Sequence, residues 1–282
     1  MANLLKGKDV SNYITENSKA KVEELKAKGI NPCLAILRVG ERDDDISYEK
    51  GAMKRCAETG VEVKNVILPL DVTEELFFDK IQELNQDKNV HGILMFRPLP
   101  KHIDENKARN LIARGKDVDA CTDLSLAGVF IGSDLGFAPC TAQAAMEILK
   151  YYKCQIKGKK VAVLGRSLVV GRPLAMMLMK ENATVTICHT RTEDVPSITR
   201  DVDIIIAATG QMESIGRDYV STGQTIIDVG ISWNNEKQKL CGDVIFDEVE
   251  PICQNITPVP GGVGAVTTSV LISHVVEAAI RL

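Results

Sequence analysis

Short apolar runs rich in β-branched residues, most of them ending at or near a glycine, recur along the chain and alternate with segments whose apolar positions repeat at helical spacing. CLAILRVG (residues 33–40), KVAVLG (160–165), TVTICH (184–189), DIIIAATG (203–210) and TIIDVGI (225–231) show the pattern most clearly. Near-continuous apolar runs suit strands covered on both faces, and strands separated by helices imply parallel βαβ units. Further strands are expected over 63–68 and 90–96, with a short segment near 240–244. Helices are expected over 10–29, 46–59, 73–86, 105–113 and 141–153, and residues 115–139 read as a turn-rich connection. The last helical segment, 266–282, has no strand left to cross over to, so it is expected to pack back on the first block. The predicted fold class is therefore α/β with two domains: an N-terminal α/β domain over 1–145, joined by the C-terminal helix 265–282, and a Rossmann-like dinucleotide-binding domain over 146–264.

Composition narrows the function by exclusion. The 34 Lys and Arg against 38 Asp and Glu give a formal charge of -4, which offers no global basic field for nucleic acid or an anionic membrane. No apolar run reaches the ~18 residues of a membrane span, and MANLLKGKDV lacks the layout of a signal peptide. The reading is a cytoplasmic protein. Eight cysteines are scattered with no CxxC pair, and four histidines show no ligand spacing, so reduced thiols and no metal are expected.

The segment VAVLGRSLVVGRPLAMML carries the first functional signal. A strand ends at Gly165, five residues separate it from Gly171, and Pro173 stands in the first turn of the next helix. Such a turn presents a helix N-terminus to an anion, although GxxxxxG is not the GxGxxG fingerprint and a plain strand-to-helix turn would share it. The following strand ends in His189, Thr190 and Arg191, with no carboxylate at its tip. Arg166 and Arg191 are available for a 2′-phosphate, so NADP is favoured and NAD stays possible, with Glu193 and Asp194 close behind.

Several segments converge on one family. GKKVAVLGRSLVVGRPLA, ATVTICHTRT, IIDVGI, GDV and ITPVPGGVGAVTT, with GILMFRPLP and KDVDACTD earlier, resemble the methylenetetrahydrofolate dehydrogenase/cyclohydrolase family of one-carbon metabolism over nearly the whole chain. The resemblance implies two α/β domains around a cleft, folate mostly on the N-terminal side, the nicotinamide cofactor on the Rossmann side, and a homodimer. It assigns Tyr48 to folate stacking and Asp119 to the pterin as the catalytic positions. Ala52, Met95, Phe96 and Arg97 become substrate-side positions, together with the closing segment Pro260, Gly261, Gly262, Val263 and Gly264. It places Gly165, Arg166, Ser167, Thr190 and Ile231 at the cofactor, where the charge argument adds Arg191.

Two departures bear on the chemistry. Where the family carries YxxxK on one helix, this chain has Tyr48 and then Ala52; where it carries glutamine in GILVQLPLP, this chain has Phe96. At about 100° per residue neither Lys50 nor Lys54 faces the way residue 52 does. Arg97 stands where the family usually has leucine; a guanidinium stays protonated, and either a substrate contact or a surface role suits it. Hydride transfer depends mainly on proximity and orientation, whereas hydrolysis of the methenyl group needs a proton-exchanging side chain. The expectation is a methylenetetrahydrofolate dehydrogenase with little or no cyclohydrolase activity. A bifunctional enzyme and a non-catalytic folate- and nucleotide-binding regulator are the alternatives.

Overall fold

A computed structural model describes residues 1–282. In chain order its elements are β1 (Asn3–Leu4), α1 (Gly7–Ala27), β2 (Cys33–Val39), α2 (Asp43–Thr59), β3 (Glu62–Leu68), α3 (Glu74–Gln86), β4 (Gly92–Met95), α4 (Glu105–Leu111), α5 (Asp123–Ile131) and α6 (Cys140–Tyr151). They continue as β5 (Lys160–Leu164), α7 (Gly171–Lys180), β6 (Thr184–Cys188), α8 (Val195–Arg200), β7 (Ile204–Ala207), β8 (Thr225–Asp228), β9 (Ser232–Asn234), β10 (Lys239–Cys241), α9 (Phe246–Val249), β11 (Asn255–Ile256) and α10 (Thr267–Arg281). The chain divides into two compact units, Asn12–Cys140 with Thr268–Leu282, and Met1–Ser11 with Thr141–Thr267. No helix is long and apolar enough to cross a membrane.

The first unit is built on a three-stranded parallel sheet in the order β3-β2-β4, with Leu34 beside Val63 and Gly92. Every residue of the central β2 is buried. Alternation along the strand sends Ala35, Leu37 and Val39 into a core shared with Phe77, Ile81 and Leu84 of α3 and Ile93 and Met95 of β4. Arg38 belongs to the opposite alternation, and it is buried because Glu49 of α2 answers it at 2.8 Å.

The second unit carries a six-stranded sheet, β1-β11-β8-β7-β5-β6, in which every pairing is parallel. β6 and β7 flank β5 on opposite sides, so the order of strands reverses at β5. In open α/β sheets that reversal leaves a crevice at the strands' carboxyl ends, where ligands bind. β9 and β10 form a separate antiparallel hairpin.

Besides the short helices α8 and α9, which the sequence pattern does not predict, three features differ from the sequence expectation. Residues 123–131, inside the stretch read as turns, form α5. Thr122 caps its start by accepting the Ser125 N–H at 3.1 Å, and Gly132 ends it with a left-handed φ of 69°. DLSLAGVFI is apolar around most of its circumference, so it shows no helical period. The first residues, assigned with 1–145, instead reach the other unit, because β1 pairs with β11. Two residues of strand carry too little pattern to be read. The hairpin strand β9 also escaped detection, for the same reason of length.

Candidate active site

The residues singled out by sequence fall into two groups, one in each unit. In the first unit Tyr48 stands in the second turn of α2, half-buried, with the Phe96 ring edge-on at a centroid distance of 5.9 Å and an interplanar angle of 83°. Ala52, one turn further along the helix, is fully buried at 0% exposure. Met95 ends β4 and is buried; Phe96 follows, its N–H still donating to the Leu37 carbonyl at 3.0 Å. Arg97 is half-buried and joined to Pro98 by a cis peptide bond.

Asp119 sits on a turn whose other charged residues are structural. Lys116 donates its ammonium to the carbonyls of Leu84 and Asp87 at 3.0 and 2.7 Å, closing the end of α3. Asp117, completely buried, accepts the N–H groups of Cys121 and Thr122, each at 2.9 Å. Asp119 itself is half-buried, with the Cys140 N–H donating to it at 3.3 Å. Burial pushes its carboxyl up; the Cys140 contacts and the Arg97 guanidinium hold it back. Ala120 pays a conformational cost here, at φ 52°, in the region that favours glycine.

Two residues beside Asp119 went unnoticed in the sequence. The Cys140 thiol donates to the Val118 carbonyl at 3.4 Å, and burial with Asp119 alongside pushes it well above the ordinary thiol range. His274 of α10 bonds the same carbonyl through Nδ1 at 2.8 Å, and its ring stacks on Phe137 at 4.8 Å. Burial lowers His274 to about 4, so the ring is neutral near pH 7. No local motif could join Cys140 to His274, because 134 residues separate them.

In the second unit the turn between β5 and α7 has the close backbone approaches its glycines suggested. A Cβ on Gly171 would fall on the Gly165 carbonyl oxygen, and Gly165 itself has a φ of 126° against the Ala208 carbonyl. Ser167 accepts the Val170 N–H at 3.1 Å, while the Arg166 side chain is exposed. After β6, Thr190 and Arg191 are exposed, and the Arg191 N–H donates to His189 Nδ1 at 3.1 Å. Asp194 accepts the Ser197 N–H at 3.2 Å as the cap of α8, which engages that carboxylate locally.

A cavity of about 250 Å³ lies in the same unit, lined by Asp228, Gly230 and Ile231 on one side and residues 258–265 on the other. It brings Ile231 together with Pro260, Gly261, Gly262, Val263 and Gly264. The N-terminus helps to hold this wall: Leu5 N–H donates to the Ile256 carbonyl at 2.9 Å and Gly7 N–H to the Gly261 carbonyl at 2.8 Å. Val259–Pro260 is a second cis bond. Beneath the cavity Asp228 accepts N–H groups from Gly230, Asp243 and Val244 at 3.0–3.1 Å. Burial and the nearby Asp243 raise its carboxyl to about 7, despite those three donors.

Comparison with known proteins places both groups in context. Residues 5–119 match the tetrahydrofolate dehydrogenase/cyclohydrolase catalytic domain, and residues 139–282 the NAD(P)-binding domain of the same name. The bifunctional protein FolD of Carboxydothermus hydrogenoformans is 52% identical over 279 residues, covering 99% of this chain and 97% of that protein. Its counterpart from Alkaliphilus oremlandii is 49% identical over 278 residues, 99% of this chain and 97% of its own. Among solved structures, the Campylobacter jejuni bifunctional FolD superposes with a TM-score of 0.97 at 39% identity, covering 100% of both chains. The Trypanosoma brucei FolD, complexed with NADP cofactor and inhibitor, gives 0.93 at 34% identity and covers 99% of this chain and 98% of its own.

Proposed function

Because the chain belongs to the tetrahydrofolate dehydrogenase/cyclohydrolase family, we propose that it is a dehydrogenase that oxidises 5,10-methylenetetrahydrofolate to the methenyl form and has lost most or all of the hydrolytic step. The observation that carries this reading is Ala52. It stands where the resemblance calls for a proton-exchanging lysine, and it is a methyl group with no exposed surface. Phe96, where that lysine's glutamine partner would stand, supplies a ring packed on Tyr48 and no hydrogen bond. General acid/base groups contribute about 10² to 10⁴ in rate, so hydrolysis should fall towards its spontaneous rate.

The residues that serve hydride transfer are retained. Tyr48 offers a half-buried ring face for the folate, and Asp119 offers a carboxylate for the donor edge of the pterin. Burial pushes the Asp119 carboxyl up, and the Arg97 guanidinium, after the Cys140 contacts, opposes that rise. Orientation of the bound folate is what this step asks of the protein.

For the second substrate, the Gly165–Gly171 turn is a cradle that a side chain would fill, which fits a pyrophosphate at the N-terminus of α7. When bound, a nicotinamide dinucleotide supplies the hydride acceptor. Gly165, Arg166 and Ser167 would hold its phosphates, Thr190 and Arg191 its adenosine end, and Ile231 with Pro260, Gly261, Gly262, Val263 and Gly264 the walls of the cavity. NADP is the preferred form in this reading, because Arg166 and Arg191 are exposed and Asp194 is engaged as a helix cap. The protein is expected to act as a homodimer.

The test measures two rates on one preparation: cofactor reduction with methylenetetrahydrofolate, and decay of methenyltetrahydrofolate at neutral pH with and without protein. Reduction with no accelerated decay is the expected result. Saturable acceleration of the decay would make the enzyme bifunctional, and absence of reduction with either dinucleotide would leave the regulatory alternative.

A further inference from the structure

We propose that Asp45 is the counter-charge for the cation produced by hydride transfer, an electrostatic residue of the dehydrogenase step; the assignment rests on the functional reading above. α2 opens with three aspartates, and they are not equivalent. Asp43 and Asp44 are exposed, as suits acidic residues in a first helical turn, while Asp45 is 6% exposed. Its carboxylate receives no hydrogen bond. The nearest cation, Arg42, lies 3.9 Å away, is 43% exposed at its side chain and donates instead to the Pro98 carbonyl at 3.3 Å. The other neighbouring cation, Arg38, is committed to Glu49 at 2.8 Å and to the Gly40 carbonyl. Arg38 and Glu49 therefore neutralise each other, and the negative charge of Asp45 is left with a single, long and solvent-exposed ion pair to Arg42 as its compensation. Such a group is costly to keep in a folded protein unless something charged comes to meet it.

The helix places that charge one turn from Tyr48 and two from Ala52. Seven residues at about 100° each bring Asp45 back to within about 20° of Ala52, with Tyr48 one turn from each. The buried residues of α2, Asp45, Glu49, Ala52, Cys56 and Thr59, follow the same line. Asp45 thus heads the buried side of the helix, one turn before Tyr48, on which the folate ring is read to stack.

The chemistry supplies the missing partner. In the oxidation the C–H bond of the methylene carbon breaks, and both electrons leave with the hydrogen for the nicotinamide ring. The carbon and its two flanking nitrogens are left sharing one positive charge. No proton is taken up or released. Tetrahydrofolate and its methylene form carry no such charge at that centre, so a fixed carboxylate favours the product side of the step and the transition state leading to it.

The test compares ligands that differ in this charge. Asp45→Asn is expected to weaken methenyltetrahydrofolate binding by about tenfold or more, to leave tetrahydrofolate binding within about threefold, and to lower kcat by about tenfold or more with little change in KM. Asp45→Glu, which keeps the charge, should retain the preference for the cation. A pH profile adds a second readout. Burial raises the Asp45 carboxyl, with Asp44 and Glu49 adding to the rise and Arg42 and Arg38 opposing it. The wild-type rate should fall as pH drops through that raised value, and Asp45→Asn should lose this limb. Equal effects of Asp45→Asn on both folates, or none on either, would overturn the assignment while leaving wild-type dehydrogenase activity in place. A wild-type protein that binds neither folate would overturn the functional reading and this assignment with it.

Discussion

Asp228 and Asp243 put two carboxylates side by side under the cavity of the nucleotide unit, 3% and 1% exposed. Asp243 uses one oxygen to accept the Thr209 and Gly210 N–H groups at 2.6 and 3.0 Å, and its other oxygen is buried with no partner. A Cβ on Gly230 would collide with that orphaned oxygen. Asp228 is held at about 7 in the folded state, well above the ordinary carboxylate value, so the native protein binds an extra proton between about pH 4 and pH 7. Its contribution to stability is therefore largest at low pH and declines as pH rises through that window. Asp243→Asn keeps an oxygen for the two N–H donors, turns the orphaned acceptor into a donor and removes the like charge. It is expected to stabilise the protein by about 1 kcal/mol at pH 8 and by much less at pH 5, read from urea melts at the two pH values. Equal effects at both would separate Asp243 from the ionisation of Asp228.

At the scale of elements, the β5–α7 turn, proposed above to cradle the pyrophosphate, leaves no room for a side chain. Gly171 opens α7, and its α-carbon faces the Gly165 carbonyl so closely that a methyl group has no place. Gly171→Ala must displace the turn that would hold the pyrophosphate. NADP affinity should drop by about tenfold or more, equivalent to about 1.4 kcal/mol, with tetrahydrofolate affinity of the other unit retained. Fluorescence of Trp233, the single tryptophan, reports the first quantity, since Trp233 of β9 follows the cavity residue Ile231 by two positions. A preserved NADP affinity would mean that the turn relaxes freely and does not carry the dinucleotide. α5 makes a related point about elements without a period. Its caps, Thr122 and Gly132, define it more clearly than its interior does.

Over the whole molecule, the chain passes between its two units three times, within α1, at the start of α6 and at the start of α10. Neither unit is a continuous piece of sequence, so ligand effects are best measured on the intact chain. A ligand that binds only the native state stabilises it by about 2.7 kcal/mol at 100 times its dissociation constant, which for a protein of this size corresponds to a rise in Tm of about 5 °C or more. NADP is expected to give such a rise, and NAD at the same concentration a smaller one. Arg191→Ala should remove most of the difference, measured by thermal denaturation. Equal shifts for the two cofactors in the wild-type protein would assign the exposed arginines a general role in solubility.

The α/β class, most strands and helices and the close-packed glycine turn between β5 and α7 were legible in the sequence, because each is dictated locally. An apolar run with a glycine exit, or a proline just inside a helix, carries its meaning within a few residues. The absence of a lysine at residue 52 and of a glutamine at residue 96 was equally plain, since a missing functional group is a fact of composition. Tertiary structure alone decided the strand order β1-β11-β8-β7-β5-β6, the capture of β1 by β11, and the meeting of Asp119 with Cys140 and of Val118 with His274. These depend on which distant segments bury each other, and periodicity does not encode that choice. The three aspartates of α2 show the boundary within one helical turn: their identity is written in the chain, but only packing exposes Asp43 and Asp44 and buries Asp45. An ionisable side chain takes its properties from the dielectric and the charges around it, and those are assembled only when β2, α2 and the loop after β4 come together.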